Sequence, residues 1–138
     1  GVDNFEKLVE IDKQAKKYGR NIKCLLQIHI AAEDTKFGFS PEECLQMLET
    51  TPWRELTNIT IAGVMGMATF TDNLQQVKQE FETLVALFNN IKQRYFAECD
   101  SFSMISAGMS DDYQLAMDAG SNLVRIGSSI FGARDYSK

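Results

Sequence analysis

Residues 103–136 have the sequence SMISAGMSDDYQLAMDAGSNLVRIGSSIFGARDY, in which two short apolar runs flank a segment with the pattern of a helix. Each run ends in small hydrogen-bonding residues, at residues 106–110 after the first and at residues 127–129 after the second. This order is typical of one strand–loop–helix–strand unit. Hydroxyls and free backbone N–H groups at two strand ends suit a phosphate group, so the stretch predicts an anion site.

The rest of the chain repeats this unit. Apolar runs of strand length predict four strands, at residues 22–30, 56–68, 102–106 and 123–127. Capping residues and helical spacing predict four helices, from Asp3 or Asn4 to Gly19, from Ser40 to Thr50, over residues 73–95 with a cap within 69–72, and from Ser110 to Gly120. Because helices and strands alternate, we expect parallel strands with right-handed crossovers. Ligands of such folds bind at the carboxyl ends of the strands, which lie after Ile30, Met67, Ile105 and Ile126.

Composition and charge limit the class of protein. A chain of 138 residues with 44% hydrophobic content predicts one domain, residues 1–138. The net charge of −5 argues against nucleic acid and anionic membranes as partners, and it leaves small molecules and proteins. We find neither a signal-peptide pattern nor an apolar run long enough to span a membrane, which predicts a cytoplasmic location. The widely spaced Cys24, Cys44 and Cys99 predict buried or half-buried thiols rather than a disulfide or a zinc site.

Several segments carry a resemblance to a known family. Residues 106–112 (SAGMSDD), 116–121 (AMDAGS) and 124–136 (VRIGSSIFGARDY) closely resemble the C-terminal signature of the pyridoxal phosphate homeostasis protein family. Further matches follow in family order, at residues 2–3, 25–31, 36–41 and 63–67. The resemblance covers essentially the whole chain. It implies a partial (β/α)₈ TIM barrel of the alanine racemase N-terminal type, with about four parallel strands and covering helices.

The same resemblance implies a function. Family members carry pyridoxal 5′-phosphate on a lysine, have no established turnover and act in the intracellular homeostasis of this cofactor. The cofactor-binding residues that it implies in this sequence are Ser106, Gly108, Met109, Ser110, Arg125, Gly127 and Ser128. No catalytic residue and no metal site are expected.

Arg125 is expected to face the pyridine nitrogen of the cofactor, while the serines and glycines bind its phosphate. A permanently charged guanidinium keeps that nitrogen unprotonated, which weakens the ring as an electron sink and fits binding without catalysis. An ion pair at the strand end is the alternative for Arg125, and a helix cap is the alternative for Ser110. Ala107 stands where the family usually has methionine.

The matched segments indicate the C-terminal half to three-fifths of a family member, since the family's cofactor lysine lies ahead of the first residue here. Lys36 belongs to the KFGF motif and is not that lysine. His29 is expected at an inward-facing strand position, as a polar residue rather than a metal ligand. Three methionines are expected to fill the barrel, namely Met65, Met67 and Met104.

Two other functions stay open at this point. One is a fragment of an amino-acid racemase-like enzyme that uses pyridoxal phosphate, which racemisation of alanine would identify. The other is a phosphate-binding half-barrel without a cofactor role. Four parallel strands leave open sheet edges and an uncovered inner face, so we expect a homodimer of two half-barrels, with a compact open α/β sandwich as the alternative.

Because the family's cofactor lysine is not among these residues, this chain by itself should form no Schiff base with pyridoxal phosphate at the family site. After mixing and borohydride reduction, intact mass and peptide mapping should show no stoichiometric adduct. One lysine trapped stoichiometrically would contradict this expectation.

Overall fold

A computed structural model describes residues 1–32, 38–69, 71–109, 113–120 and 122–125, along which helices and strands alternate. The helices are α1 (Phe5–Lys17), α2 (Pro41–Thr50), α3 (Leu74–Tyr95) and α4 (Tyr113–Ala119). The strands are β1 (Ile22–Ile28), β2 (Ile59–Gly66), β3 (Met104–Met109) and β4 (Leu123–Arg125). A 3₁₀ helix, Trp53–Glu55, precedes β2. Within these ranges, no helix is long and apolar enough to cross a membrane.

The four strands form one sheet in the order β1-β2-β3-β4, and every neighbouring pair is parallel. A helix connects each strand to the next, so consecutive units lie side by side in chain order. This arrangement confirms the predicted partial barrel of parallel strands with covering helices.

The strand bounds differ from those predicted. β1 ends at Ile28, two residues early, and β2 is shorter than the predicted range 56–68 because the 3₁₀ helix and its cap occupy the chain up to Leu56. β3 begins at Met104 and continues three residues beyond the predicted end at 106, since it pairs with β4 as far as Met109. Pairing with a neighbouring strand, rather than local apolar content, fixes these ends.

Helix starts follow their local sequence. Ser40 forms the predicted capping box, in which its hydroxyl accepts from the Glu43 backbone N–H at 3.1 Å and the Glu43 carboxylate accepts from the Ser40 N–H at 2.9 Å. These hydrogen bonds hold the pKa of Glu43 below its usual value. Asn4 caps α1, as predicted. The cap of α3 is Asn73 and not a residue within 69–72, so that prediction was wrong.

The outer edge of β1 is paired by two residues from other segments. Val2 exchanges two backbone hydrogen bonds, each of 2.8 Å, with residues 25–27, and Phe39 exchanges two more, of 2.8 and 2.7 Å, with residues 27–29. Gly38 permits this approach, because a Cβ there would lie 2.7 Å from a backbone nitrogen of the β1 end. The edge that we predicted to be open is therefore covered along its carboxyl-terminal half.

The core lies between the helices and one face of the sheet. Its fully buried members come from helices and strands alike, among them Leu8, Leu26, Val64, Phe81 and Ile91. Leu25, Met65 and Met104 do not belong to this core and are half-buried. Strand side chains alternate between faces, so these three residues lie on the opposite, inner face. Two of the methionines predicted to fill the barrel thus lie on that face.

Gly63 lets β2 approach β3 closely. A Cβ at this position would lie 1.8 Å from the backbone oxygen of Met104, and the φ angle of Gly63 is +157°. The register between β1 and β2 shifts at the same place, because Cys24 pairs with Ile61 whereas Leu25 pairs with Gly63. A side chain at position 63 would therefore force β2 and β3 apart.

Gly63→Ala should destabilise the protein more than Gly19→Ala. Nothing lies within 4 Å of a Cβ at Gly19, so the change there costs only its left-handed backbone conformation, about 1 kcal/mol. At Gly63 the methyl group must displace backbone, and we expect a loss of about 3 kcal/mol or more. Urea denaturation measures both losses, and equal values would contradict the close approach of β2 and β3.

Candidate functional site

The carboxyl ends of the strands lie at one end of the sheet because all pairs are parallel. Ile28 pairs with Gly66 and Gly66 pairs with Ala107, so these residues mark one level across three strands. Ser106 precedes this level by one residue. Ala107 belongs to the core, and alternation along the strand therefore turns Ser106 towards the inner face.

Ser106 is a buried polar residue whose hydroxyl has no hydrogen-bond partner among the described residues. It is 2% exposed, and in the described part of the chain it is the one buried polar side chain. A buried hydroxyl in this state costs about 1–3 kcal/mol, which oxygen atoms of a ligand would offset. Ser106 therefore fits the phosphate-binding role that the sequence predicts.

Gly108 and Met109 were predicted to lie in a loop with Ser110, and this was wrong. They are the last two residues of β3, because Met109 pairs with Arg125 of β4. Between the pairs Ser106–Leu123 and Met109–Arg125 the register shifts, so β3 has one residue more than β4 in this interval. Such an irregularity locally disrupts the ladder and bends the strand, here directly beside Ser106.

The predicted residues of β4 are placed in part. Arg125 ends the described part of β4, and its pairing with Met109 puts its backbone at the carboxyl end of the sheet. Ser110, Gly127 and Ser128 lie outside the described residues, and so does Lys36. The structure thus brings the ends of β3 and β4 together, as the sequence predicts for the phosphate site.

Asn122 is a site-forming residue that the sequence reasoning missed. Its side-chain oxygen accepts from the Ile105 N–H at 2.8 Å, and its side-chain amide donates to the Ser103 carbonyl at 2.7 Å. Its own N–H donates to the Ile105 carbonyl at 3.1 Å. These bonds join the start of β4 to β3 and place Leu123 beside Ser106. Because its partners Ile105 and Ser103 lie 17 and 19 residues away, no local pattern marks the role.

His29 lies just beyond the end of β1 and is half-buried. Its backbone N–H donates to the carbonyl of Phe39, which ties the end of β1 to the segment before α2. Within the described ranges, no group of three or more His, Cys, Asp or Glu residues is arranged to hold a metal ion.

The three cysteines are free thiols, as predicted. Burial raises the pKa of Cys24, and it raises that of Cys44 to about 12. Cys99 is partly exposed, and a contact of 2.9 Å between its sulfur and the Ser101 hydroxyl lowers its pKa. The first two thiols serve as core packing, whereas Cys99 lies in the segment just before β3.

Two cavities formed by described residues are not lined by the carboxyl ends of β2, β3 or β4. One of about 400 Å³ is lined by residues that include Trp53, Ile59 and Phe96, at the amino end of β2. The other, of about 310 Å³, lies between α1 and α2. Neither is lined by Ser106, so the geometry of the strand ends, not cavity size, locates the candidate site.

Comparison with known proteins gives the class. Residues 1–135 match the family described as "Alanine racemase, N-terminal domain", and the chain therefore belongs to that family.

Within this class, the chain is similar to pyridoxal phosphate homeostasis proteins. It is 38% identical to the protein of that name from Pasteurella multocida over 129 residues, and 34% identical to the one from Homo sapiens over 126 residues. These matches cover 93% and 91% of this chain but 53% and 45% of the two relatives. The chain thus spans about half the length of the curated relatives it matches. Which part of a family member it represents stays a prediction.

Solved structures show the same fold. A protein of unknown function from Bifidobacterium adolescentis superposes with a TM-score of 0.84 at 25% identity, over 94% of this chain and 51% of that one. PipY from Synechococcus elongatus without pyridoxal phosphate gives a TM-score of 0.85 at 24% identity, over 96% of this chain and 60% of PipY. The structure of PipY with pyridoxal phosphate bound gives 0.79 at 23% identity, over 95% and 58%.

Proposed function

We propose that this chain supplies the phosphate-binding wall of a pyridoxal 5′-phosphate-binding protein that acts in the homeostasis of this cofactor. The observation that carries the proposal is the Ser106 hydroxyl, which is buried on the inner face and has no partner in the described protein. Two findings support the choice of ligand: the names of the relatives, and the pyridoxal phosphate bound to PipY.

In this proposal Ser106 donates its hydroxyl proton to a phosphate oxygen, and the backbone at Gly108 and Met109 approaches the same group. Gly127 and Ser128 complete the phosphate site from the side of β4. Hydrogen bonds to an ionised acceptor are roughly twice as strong as neutral ones, so neutral donors at two strand ends hold a dianion without a lysine.

Arg125 holds the pyridine nitrogen unprotonated in the same proposal. The bound cofactor supplies an electron-withdrawing ring, which is most effective when that nitrogen carries a proton. A guanidinium donates a hydrogen bond there but does not give up its proton at neutral pH. The arrangement therefore favours binding over turnover, and we infer a carrier or homeostatic role rather than an enzyme.

A cytoplasmic location belongs to the same proposal. Free cysteines persist in reducing compartments, and the three thiols of this chain form no disulfide.

Ser106→Ala should weaken the binding of pyridoxal phosphate about tenfold, since it removes one hydrogen bond to a charged group, worth about 1.5 kcal/mol. The variant should keep or gain stability in urea, because the deleted hydroxyl has no partner within the described ranges. Ser103→Ala, at an exposed position in the same segment, is the matched control and should bind as the wild type does. Titration calorimetry at fixed salt measures all three affinities.

Equal affinities of the wild type and Ser106→Ala would contradict the assigned role of Ser106. A wild-type chain that binds neither pyridoxal phosphate nor inorganic phosphate would contradict the proposed function.

We also propose that two copies of this half-barrel associate through their inner faces. Support comes from Leu25, Met65 and Met104, which are apolar and half-buried on a face outside the core between sheet and helices. Covering such a face removes apolar area from water.

Sedimentation equilibrium should therefore give the mass of a dimer. Met65→Glu should shift the chain to monomer, since it places a charge in the interface, whereas Glu82→Gln on the exposed face of α3 should not. A sharp monomer mass for the wild type, with cooperative thermal unfolding, would contradict the dimer.

A further inference from the structure

We propose that Thr69 and Glu80 act as positioning residues for the carboxyl end of the sheet, where the proposed ligand binds. We name this pair the Thr69–Glu80 clamp. Thr69 follows the end of β2 by three residues, and Glu80 lies in the second turn of α3. The clamp holds the segment after β1 against the segment after β2. The proposal rests on the proposed function only for its effect on ligand affinity, because the clamp itself is visible in the free protein.

The clamp is a short chain of directed hydrogen bonds. The Glu80 carboxylate accepts from the Thr69 N–H at 2.6 Å through Oε1 and from the Thr69 hydroxyl at 2.6 Å through Oε2. The same hydroxyl oxygen accepts from the Ala32 N–H at 2.7 Å. The Gln76 side-chain amide donates to the Thr69 hydroxyl oxygen at 3.3 Å and to Glu80 at 3.1 Å. Every polar atom of the threonine side chain and both carboxylate oxygens are therefore in use.

These bonds differ from an ordinary surface pair in two respects. They join segments 37 and 11 residues apart in sequence, so they fix tertiary position rather than local helix geometry. In addition, the accepting Glu80 carboxylate is charged and partly buried. Each hydrogen bond in the row from Ala32 through Thr69 to Glu80 polarises the next. Loss of the threonine hydroxyl breaks the whole row.

The position of the clamp relates it to the candidate site. Met65 of β2 pairs with Ser106 of β3, and Thr69 lies four residues further along the chain from Met65, at the same end of the sheet. In the proposed function the phosphate is held at the ends of β3 and β4, and we place the remaining atoms of the ligand beside the ends of β2 and β1. The clamp sets the separation of those two ends. Thr69 and Glu80 therefore position the wall that such a ligand faces, without being assigned a contact to it.

The direct readout of the clamp is amide hydrogen exchange at Ala32 in the ligand-free protein. Ala32 is exposed, and the bond to the Thr69 hydroxyl protects its N–H. Thr69→Val keeps the size of the side chain and removes that acceptor, so exchange at Ala32 should be about tenfold faster, which corresponds to about 1.4 kcal/mol. Thr69→Ser keeps the hydroxyl and should restore slow exchange.

Glu80→Gln tests the charged member of the clamp. An amide in place of the carboxylate presents either a donor or a weaker acceptor to the Thr69 hydroxyl, which already accepts from Ala32 and Gln76. We expect faster exchange at Ala32 in this variant as well. Glu82→Gln removes the same charge two residues along the same helix, at an exposed position, and should change nothing. Thr83→Val, on the exposed side of α3, is the control for Thr69→Val.

The second readout is the affinity for pyridoxal phosphate, which Thr69→Val and Glu80→Gln should each weaken by about fivefold, while Thr69→Ser and both controls bind as the wild type does. Unchanged exchange at Ala32 in Thr69→Val would overturn the clamp. Faster exchange with unchanged affinity would overturn its positioning role. A wild type that binds no pyridoxal phosphate would remove the proposed function, and the exchange data would then still decide whether the clamp exists.

Discussion

The close approach of β2 and β3 at Gly63 is the constraint on which the candidate site depends. The backbone oxygen of Met104 occupies the space that a side chain at position 63 would need. From this contact the register continues to the pair of Met65 and Ser106, two residues further on both strands. If the register between β2 and β3 moved by one residue, the Ser106 side chain would point into the apolar core and the Ile105 side chain would lie on the inner face. The position of Ser106 therefore depends on the absence of a side chain at Gly63 of the neighbouring strand β2.

This register leaves one polar group buried without a hydrogen bond to the described residues. Ser106 is buried, and no group among the described residues satisfies its hydroxyl. Proteins normally avoid such groups, and the phosphate ligand that we propose would satisfy this one. Asn122 supports the arrangement from the other side, since its hydrogen bonds attach β4 to β3. Ser106 is thus held in place by the close approach of β2 on one side and by the hydrogen bonds of Asn122 on the other.

Much of this could be predicted from local sequence. The capping box at Ser40 and the alternation of helices and strands each depend on residues adjacent in the chain, and the structure confirms them. Ser106 was identified for a similar reason, because a hydroxyl directly after an apolar run marks a strand end. The extension of β3 to Met109 was missed, since it depends on pairing with β4.

Contacts between distant segments also explain why other residues were not identified from the sequence. Asn122 and the Thr69–Glu80 clamp act through hydrogen bonds between segments far apart in sequence, and a lone Asn, Thr or Glu in a polar stretch gives no sign of such a partner. The cap of α3 lies at Asn73 rather than within the predicted 69–72, where Thr69 is engaged with Glu80. Local patterns predict elements, whereas the site also depends on how those elements are joined.

We propose that this chain binds a phosphate-bearing ligand at the inner-face end of β3. Backbone amide chemical shifts, followed by NMR during titration with pyridoxal phosphate, test it most directly. The largest saturable changes should fall on the end of β3, from Ser106 to Met109, and on Arg125 of the paired strand. Changes centred instead on the cavity lined by Trp53 and Phe96, at the opposite end of the sheet, would contradict it.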